Sequence, residues 1–218
     1  SRLYIKDCWE DIKLNMNINL LNNSLLFNWK ADPNLSKLIN AFYKRIEIRF
    51  VGGCIRDALL GRDIGEIDFG IECHPGQTIK ILQDNKIIHQ ETGLRFGTVS
   101  AIIENKKYEI TSLRKDTYSK GRYPKVEFIN DWKEDSIRRD FTINSIYLSM
   151  DKKIFDYHNG LTHLKNSQLT FIGDVNKRIK EDYIRIVRFY RFLSLFKIPK
   201  YRSDDFNKIN HLISKIKE

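Results

Sequence analysis

The glycine pair Gly52-Gly53 stands between a short apolar run and a helical pattern, and this junction constrains the fold more than any other feature. The run Ile48–Val51 predicts a buried strand, the helical pattern continues through Leu60, and residues 67–71 predict a second strand. A glycine pair at a strand end is often only a turn. It also lets a phosphate approach the backbone closely, with Arg56 as a charged neighbour.

The remaining patterns predict an α+β fold. Asp32-Pro33 starts a helix, because Asp caps helices and Pro suits their first turn. Residues 98–103 and 107–112 alternate as strands, joined by a hairpin turn at Glu104-Asn105-Lys106. Helical patterns dominate from Asp135 onward. We therefore expect a mixed sheet first and a change to helices near residue 150.

The charge balance points to a polyanionic partner. Lys and Arg total 38 against 28 acidic residues, which gives a net charge of +10. Such a field attracts RNA, although an ordinary basic soluble protein has the same balance. Residues 174–202 hold nine basic residues against three acidic ones. This segment is the candidate RNA-facing surface.

The cysteines and the hydropathy pattern exclude several classes of protein. Cys8, Cys54 and Cys73 are not arranged in pairs, so they predict neither a disulfide framework nor a four-ligand zinc site. No apolar stretch approaches the length of a membrane span. We expect a soluble protein of a reducing, cytoplasmic compartment with no membrane partner.

Two carboxylates occur two residues apart where the second strand begins. Alternation along a strand puts Glu66 and Asp68 on one face, where both can point at one cation. Oxygen ligands with open positions suit Mg²⁺ and substrate phosphates. Glu109, on a later strand, is the candidate for a third catalytic carboxylate. Two or three solvated acids at strand ends are the alternative interpretation.

Two further segments combine arginines with an acid. Arg138-Arg139-Asp140 looks like a helix start, where arginine forks suit phosphate or ribose and Asp140 suits a cap or a sugar hydroxyl. Residues 181–188 predict one helix carrying Asp182, Arg185 and Arg188 at i, i+3 and i+6. An acceptor beside a donor matches the pairing edges of cytosine and adenine and rejects uracil and guanine. Capped or salt-bridged solvated helices are the alternative.

Taken in order, these segments resemble the class II tRNA nucleotidyltransferases (CCA-adding enzymes) and bacterial poly(A) polymerases, which are polymerase-β-like nucleotidyltransferases. The resemblance runs from about Phe50 to Phe196. Its motifs are Gly52-Gly53 with Arg56-Asp57, Leu59-Leu60-Gly61-Arg62, Ile67-Asp68-Phe69, Thr92-Gly93, Gly97-Thr98-Val99, residues 108–114, Gly121-Arg122, residues 138–145, Asp156-Tyr157, Asn159-Gly160-Leu161, Ile172-Gly173, Arg178-Ile179 and residues 181–188.

The resemblance implies a polymerase-β-like mixed-sheet head over residues 33–150 and an all-helical neck over 151–218, preceded by an Asn-rich extension over 1–32. It implies addition of CMP and AMP from CTP and ATP to the 3′ end of tRNA, by attack of the RNA 3′-hydroxyl on the α-phosphate with two Mg²⁺ ions. The implied metal ligands are Glu66 and Asp68. The implied nucleotide-binding residues are Gly52, Gly53, Arg56, Arg138, Arg139, Asp140, Asn144, Asp182, Arg185 and Arg188, with Arg114 and Arg122 in a flexible loop.

Three departures from the family pattern affect these expectations. Glu66 stands where the family has Asp, and the extra methylene shifts a bound metal in a site sensitive to such shifts. Lys120 stands before Gly121-Arg122 where an acid is usual. The chain stops at Glu218, before the regions with which relatives grip tRNA. We expect a fragment, a partner chain, or minimal RNA binding.

Three other functions remain open on the sequence. Poly(A) polymerases share nearly every motif quoted above and differ mainly in nucleotide choice. An enzyme that adds only CC or only A shares the same chemistry. A catalytically impaired module that binds RNA or nucleotides is the alternative from another class, and Glu66 motivates it.

Overall fold

The computed structural model describes residues 18–43, 45–117 and 125–216. Its helices are α1 (Pro33–Phe42), α2 (Gly53–Leu59), α3 (Pro75–Asp84), α4 (Trp132–Ile137), α5 (Gly160–Lys165), α6 (Val175–Glu181), α7 (Ile184–Leu193) and α8 (Ser203–Ile216). Its strands are β1 (Ile48–Val51), β2 (Ile67–Ile71), β3 (Ile88–Gly93), β4 (Thr98–Ile103), β5 (Lys106–Ser112), β6 (Arg114–Thr117), β7 (Lys125–Phe128), β8 (Ile146–Ser149), β9 (Ile154–Asp156), β10 (Gln168–Leu169) and β11 (Lys200–Tyr201). Lys120 and Arg122 lie outside the described residues.

Seven strands form one mixed sheet in the order β3-β4-β5-β2-β1-β8-β9. Strand β2 pairs with β5 in parallel, and this register places Asp68 beside Glu109. The other neighbouring strands pair antiparallel. The hairpin between β4 and β5 turns on Glu104 and Asn105, both with positive φ, so that Lys106 belongs to β5 and not to the turn. The predicted α+β class is confirmed.

Alternation along the strands separates two apolar faces of the sheet. Ile48 and Phe50 of β1 belong to the main core, together with buried residues of α1, α2 and α3. Val51 of β1 belongs to a smaller cluster on the other face, with Trp132 and Tyr147. Because successive strand residues point to opposite faces, the four residues of β1 are all buried. Helix α4 is thereby fixed against the second face.

The described part of the N-terminal segment belongs to the folded core. Leu21, Leu26 and Trp29 are at most 2% exposed, and Trp29 Nε1 donates to the carbonyl of Met150 at 3.3 Å. The expectation of a separate extension over residues 1–32 is therefore wrong for residues 18–32. Helix α1 begins as predicted, with the carboxylate of Asp32 accepting from two backbone amides of the first turn.

The sheet continues beyond residue 150, because β9 pairs with β8 and forms its edge. From α5 onward the described chain is helical apart from β10 and β11, which pair in parallel over two residues. This pairing departs from an all-helical neck. Aromatic rings join the two parts: Phe141 packs on Phe171 at 4.5 Å between centroids, and Phe171 stacks on Phe189 at 5.7 Å.

Candidate active site

A cleft of about 690 Å³ lies between the sheet and helix α7. Its lining brings together most of the residues predicted from the sequence: Gly52, Gly53, Arg56, Glu66, Asp68, Arg114, Arg138, Arg139, Asp140, Asn144, Asp182, Arg185 and Arg188. The lining also contains Asp57, Gly65, Asp116, Arg191 and Phe192. Glycines, acids and arginines from distant parts of the sequence therefore face one space.

The glycine turn forms one wall of the cleft. Gly52 has φ 80° and ψ −127°, and it precedes the first residue of α2. A Cβ built on Gly52 would lie 3.8 Å from Arg139 Nη1. Arg56 is held in place, since its Nη1 donates to Asn144 Oδ1 at 2.7 Å and its Nε and Nη2 donate to Asp57. The turn and Arg56 thus form a rigid, partly cationic surface.

The predicted carboxylate pair lies at the start of β2, the strand that pairs with β1. Glu66 is exposed just before β2, and Asp68 is partly buried within it. Burial raises the pKa of Asp68 to about 6; the nearby charges of Glu66 and Glu109 act in the same direction, and that of Arg139 opposes them. Carboxylate oxygens crowded in this way favour a bound cation. The donor set therefore fits a divalent ion such as Mg²⁺.

Glu109 is directed to other partners. Its carboxylate accepts from Ser100 Oγ at 3.1 Å and lies 2.5 Å from Lys107 Nζ. Glu109 does not line the cleft, and the described residues contain no cluster of three or more His, Cys, Asp or Glu able to hold a metal. Its assignment as a third catalytic carboxylate stays a prediction.

Arg138 and Arg139 follow a helix instead of starting one. Asp131 caps α4 by accepting from the backbone amides of Lys133 and Glu134, and α4 ends at Ile137 with Arg138 as its C-cap. The predicted helix start at Arg138 is therefore wrong, because the cap lies seven residues earlier in the sequence. Arg138 and Arg139 nevertheless line the cleft. Their nucleotide-binding role stays a prediction.

Asp135, to which no sequence motif pointed, does not line the cleft but binds two arginines that do. Its carboxylate is fully buried and accepts from Arg138 Nε at 2.8 Å and Arg139 Nη2 at 3.1 Å. Burial alone would raise the pKa of Asp135, but the charges of Arg138 and Arg139 outweigh it and lower the pKa to about 2. The spacing i, i+3 and i+4 on a helix was the available signal.

Asp140 connects the sheet domain to helix α7. Its Oδ2 accepts from Arg188 Nε at 2.6 Å, and its Oδ1 accepts from Asn144 Nδ2 at 3.2 Å. Asn144 in turn accepts from Arg56. Arg56, Asn144, Asp140 and Arg188 therefore form one chain of hydrogen bonds across the cleft, which explains why these four predicted residues lie together.

Residues 181–188 do not form one helix. Helix α6 ends at Glu181, Asp182 has extended backbone (φ −158°, ψ 106°), and α7 starts at Ile184. Asp182 Oδ1 accepts from the backbone amide of Ile184 at 3.0 Å. This side chain to backbone bond competes with the helical ladder and accounts for the break. The predicted i, i+3, i+6 alignment on a single helix is therefore wrong.

Arg185 binds Glu181 instead of Asp182. Arg185 Nη1 donates to Glu181 Oε2 at 2.7 Å and to the carbonyl of Arg178 at 2.6 Å. Asp182 is exposed. Asp182 and Arg185 both line the cleft, but they do not form the direct ion pair that the spacing suggested. The acceptor of Asp182 thus remains accessible to a ligand.

Arg178 ties the C-terminal helices to the arginine segment. Its Nη2 donates to the carbonyl of Arg139 at 2.8 Å and also to that of Arg138, and its Nη1 donates to Glu181 at 2.6 Å. Arg178 stands in the Arg178-Ile179 motif, for which the sequence predicted no role. Helix α6 is therefore anchored at the backbone that carries Arg138 and Arg139.

Strand β6 adds one more arginine and one more acid to the cleft, Arg114 and Asp116. Burial lowers the pKa of Arg114 to about 10, and the charge of Arg138 acts in the same direction. Arg114 Nε lies 3.6 Å from Asp116 Oδ1, and Arg114 also donates to the carbonyl of Phe96. Asp116 is a cleft residue that the sequence analysis missed, although it stands two positions from Arg114 on one strand face.

In the part of the chain that the structure describes, every helix is too short or too polar to cross a bilayer.

With this geometry established, comparison with known proteins identifies the family. The family model described as the poly(A) polymerase head domain matches residues 48–170, which is more than half of the chain. The chain belongs to the poly(A) polymerase head-domain family. The matched residues include the glycine turn, both predicted metal ligands and the arginine segment. The resemblance to nucleotidyltransferases noted in the sequence is confirmed.

Two relatives of this head-domain chain have names that refer to CCA addition. The chain is 41% identical over 160 residues to human "CCA tRNA nucleotidyltransferase 1, mitochondrial", covering 72% of this chain and 37% of that protein. It is 37% identical over 194 residues to the "CCA-adding enzyme" of Lactococcus lactis subsp. cremoris, covering 86% and 46%. The chain thus spans less than half the length of these relatives.

Two solved structures of enzymes with related names are similar to this chain. A Bacillus stearothermophilus CCA-adding enzyme in complex with CTP superposes with a TM-score of 0.70 at 28% identity, over 81% of this chain and 43% of that one. A tRNA nucleotidyltransferase complexed with a primer tRNA and an incoming ATP analog superposes with a TM-score of 0.63 at 25% identity, over 82% and 50%.

Proposed function

We propose that this chain is the catalytic part of a tRNA nucleotidyltransferase that adds CMP and AMP, from CTP and ATP, to the tRNA 3′ end. The observation that carries the proposal is the shared cleft: the glycine turn, the pair Glu66 and Asp68, and the pair Asp182 and Arg185 face one space. This set suits triphosphate, metal and nucleobase at the same time. Relatives named as CCA-adding enzymes, one of them in complex with CTP, support the same substrates.

Each wall of the cleft has a proposed task. The turn at Gly52-Gly53 and the fixed guanidinium of Arg56 receive the triphosphate, because a backbone without side chains admits phosphate oxygens closely. Arg138 and Arg139 contact phosphate and ribose. Asp140 and Asn144 hold Arg56 and Arg188 against the nucleotide from both sides.

Nucleobase selection is proposed to depend on Asp182 and Arg185. Asp182 presents an exposed acceptor, and Arg185 is held by Glu181 with only one of its nitrogens used in these bonds. A donor and an acceptor at this end of the cleft match the amino group and ring nitrogen of cytosine or adenine. Uracil and guanine present the opposite pattern and are rejected.

Glu66 and Asp68 are the proposed ligands of Mg²⁺. Bound divalent ions supply charge neutralisation and activation of the attacking 3′-hydroxyl in transferases of this chemistry. In this chain Asp68 is kept at its position by β2 and its parallel neighbour β5. The attacking oxygen displaces pyrophosphate from the α-phosphate in line, and the arginines of the cleft receive the charge of the leaving group.

The domain arrangement, the tRNA contacts and the location follow from the same proposal. The head includes the sheet through β9, and the helices from α5 onward form the neck. Grip on tRNA by a partner chain or by further polypeptide stays a prediction. A cytoplasmic location also stays a prediction. The name of the human relative makes the mitochondrion a second candidate location.

The experiment that tests this function is nucleotide incorporation on a tRNA that lacks its CCA end, with Mg²⁺ present and product length resolved. CTP, ATP, UTP and GTP are supplied singly, and CTP with ATP together. Addition of C, C and A followed by a stop is the expected result. Asp68→Asn should abolish it, whereas Asp63→Asn, at an exposed position outside the cleft lining, should not.

Other outcomes would reassign the protein. Long A tracts from ATP alone would identify a poly(A) polymerase, and a stop after CC or after a single A would identify a partial enzyme. CTP binding without incorporation, unchanged by Glu66→Asp, would identify a binding module and contradict the proposal.

A further inference from the structure

Asp135 on helix α4 binds two of the arginines that line the cleft, Arg138 and Arg139. Asp135 is 0% exposed, and both of its oxygens are fully engaged. Oδ1 accepts from the backbone amide of Arg114 at 3.1 Å and from Arg138 Nε at 2.8 Å. Oδ2 accepts from Arg139 Nη2 at 3.1 Å and from the Tyr147 hydroxyl at 2.9 Å. Asp135 itself does not line the cleft, so any effect on the reaction passes through another residue.

Of the two cleft arginines that Asp135 binds, Arg139 is the one that faces the glycine turn. Its Nη2 is bound by Asp135, and its Nε donates to the Tyr147 hydroxyl at 3.1 Å. These two bonds define the plane of the guanidinium group. The remaining nitrogen, Nη1, faces the glycine turn, 3.8 Å from where a Cβ of Gly52 would be. The charge of Arg139 also acts on Asp68.

A guanidinium group stabilises a transition state more effectively when its orientation is fixed before substrate arrives. An arginine on an end of a short helix has several rotamers, and ordering it costs free energy at each binding event. In this chain Arg139 is ordered when the protein folds, because its partner Asp135 is buried and is ionised over the whole physiological pH range. Tyr147, also 0% exposed, is the second buried partner of Arg139, since its hydroxyl accepts from Arg139 Nε.

We propose that Asp135 is a positioning residue that fixes the Arg139 guanidinium between the glycine turn and Asp68. The inference rests on the proposed nucleotidyl transfer, and it assigns to this buried acid a role in nucleotide binding and turnover beyond stability. Tyr147 is the second residue that fixes the Arg139 guanidinium. Arg139 remains the group that meets the nucleotide.

A double-mutant cycle tests the proposal. Asp135→Asn keeps the shape of the side chain but removes its charge, and it is made in the wild-type and in the Arg139→Ala background. In the wild-type background we expect kcat/KM for CTP incorporation to fall about 10- to 100-fold. In the Arg139→Ala background the same change should cost less than about 3-fold, because the group it acts through is gone. Tyr147→Phe should show a smaller loss with the same dependence on Arg139.

Matched controls separate positioning from loss of fold. Glu134→Gln changes the neighbouring, partly exposed acid on α4, whose contact with Lys115 is 3.9 Å long, and should leave incorporation unchanged. Thermal unfolding of every variant gives the folded fraction by which the rates are corrected. If Asp135→Asn does not fold, the same cycle is made with Tyr147→Phe in the wild-type and Arg139→Ala backgrounds. A loss of CTP incorporation that depends on Arg139 would then support the proposal.

Equal losses in both backgrounds would show that Asp135 acts through Arg138 or on the fold as a whole, and either would overturn the proposal. If the wild-type chain does not incorporate CMP, the proposed function has failed, and the same cycle is measured on the dissociation constant for CTP by calorimetry. Dependence of that constant on Asp135 only when Arg139 is present would still support positioning. A wild-type chain that does not bind CTP would overturn both.

Discussion

Substitution of Gly52 by alanine tests the glycine turn most directly. Gly52 has φ 80° and ψ −127°, a combination that residues with a Cβ avoid. The nearest atoms to an added Cβ are Asn144 O at 3.6 Å and Arg139 Nη1 at 3.8 Å, which are ordinary contacts. The cost is therefore conformational and not steric. Such strain costs about 1 to 3 kcal/mol, of which the reduced entropy of the unfolded chain offsets about 0.4 to 1 kcal/mol.

Gly53→Ala is the matched control, one residue further along. Gly53 has no positive φ, lies inside α2, and an added Cβ would meet only the Arg56 side chain, at 3.5 Å. Alanine in a helix is favoured over glycine by up to about 1 kcal/mol. We expect Gly52→Ala to lower the free energy of unfolding by about 1 to 2 kcal/mol and Gly53→Ala to leave it equal or higher.

Thermal unfolding followed by circular dichroism measures both variants. For a chain of this size, 1 kcal/mol shifts Tm by about 2 to 4 °C, so Gly52→Ala should lower Tm by about 2 to 8 °C. Both variants should lower CTP incorporation, since each places a methyl group on the proposed triphosphate surface. A Tm for Gly52→Ala equal to that of Gly53→Ala would refute the argument from backbone conformation.

Three further predictions concern stability and the metal ligands. The pKa of Asp135 is lowered from 3.8 to about 2, which corresponds to about 2 to 3 kcal/mol of stability that is complete above pH 4 and lost as pH falls towards 2. The stability difference between wild type and Asp135→Asn, measured by urea unfolding from pH 2 to 7, should therefore be largest near neutrality; a constant difference would contradict this. Trp29→Ala should cost about 3 to 5 kcal/mol in the same assay, because Trp29 is 2% exposed, and a loss below about 1 kcal/mol would show that the N-terminal segment is dispensable. Glu66→Asp should retain or raise Mg²⁺-dependent incorporation while Glu66→Gln lowers it about 100-fold, and equal activity of the two would exclude Glu66 as a ligand.

Local patterns predicted the elements around the site well. The strand Ile48–Val51 was predicted from four consecutive residues that the structure buries, and the start of α1 from Asp32 and Pro33, which cap and initiate it. The hairpin at residues 104–105 was found to within one residue. In each case the signal lies within a few residues, so that no distant contact has to be known.

Predictions failed where a distant partner decides the conformation. The break at Asp182 is the exception, because it rests on a local bond from the Ile184 amide to the Asp182 carboxylate, which helical periodicity does not reveal. Residues 18–32 look like a polar extension because of their asparagines, yet Trp29 is buried and bonded to Met150, 121 residues away. Periodicity within a segment contains no information on such partners.

By itself, the sequence determined the chemical inventory: a glycine pair after a strand, two acids two residues apart, and arginines with acids at helical spacing. These features follow from side-chain chemistry and from the short-range geometry of strands and helices. Only the tertiary structure decided that they share one cleft, that Glu109 binds Ser100 and Lys107 outside it, and that Asp135 holds the arginines. Which charges meet depends on strand order and helix packing, and these are set by burial across the whole chain.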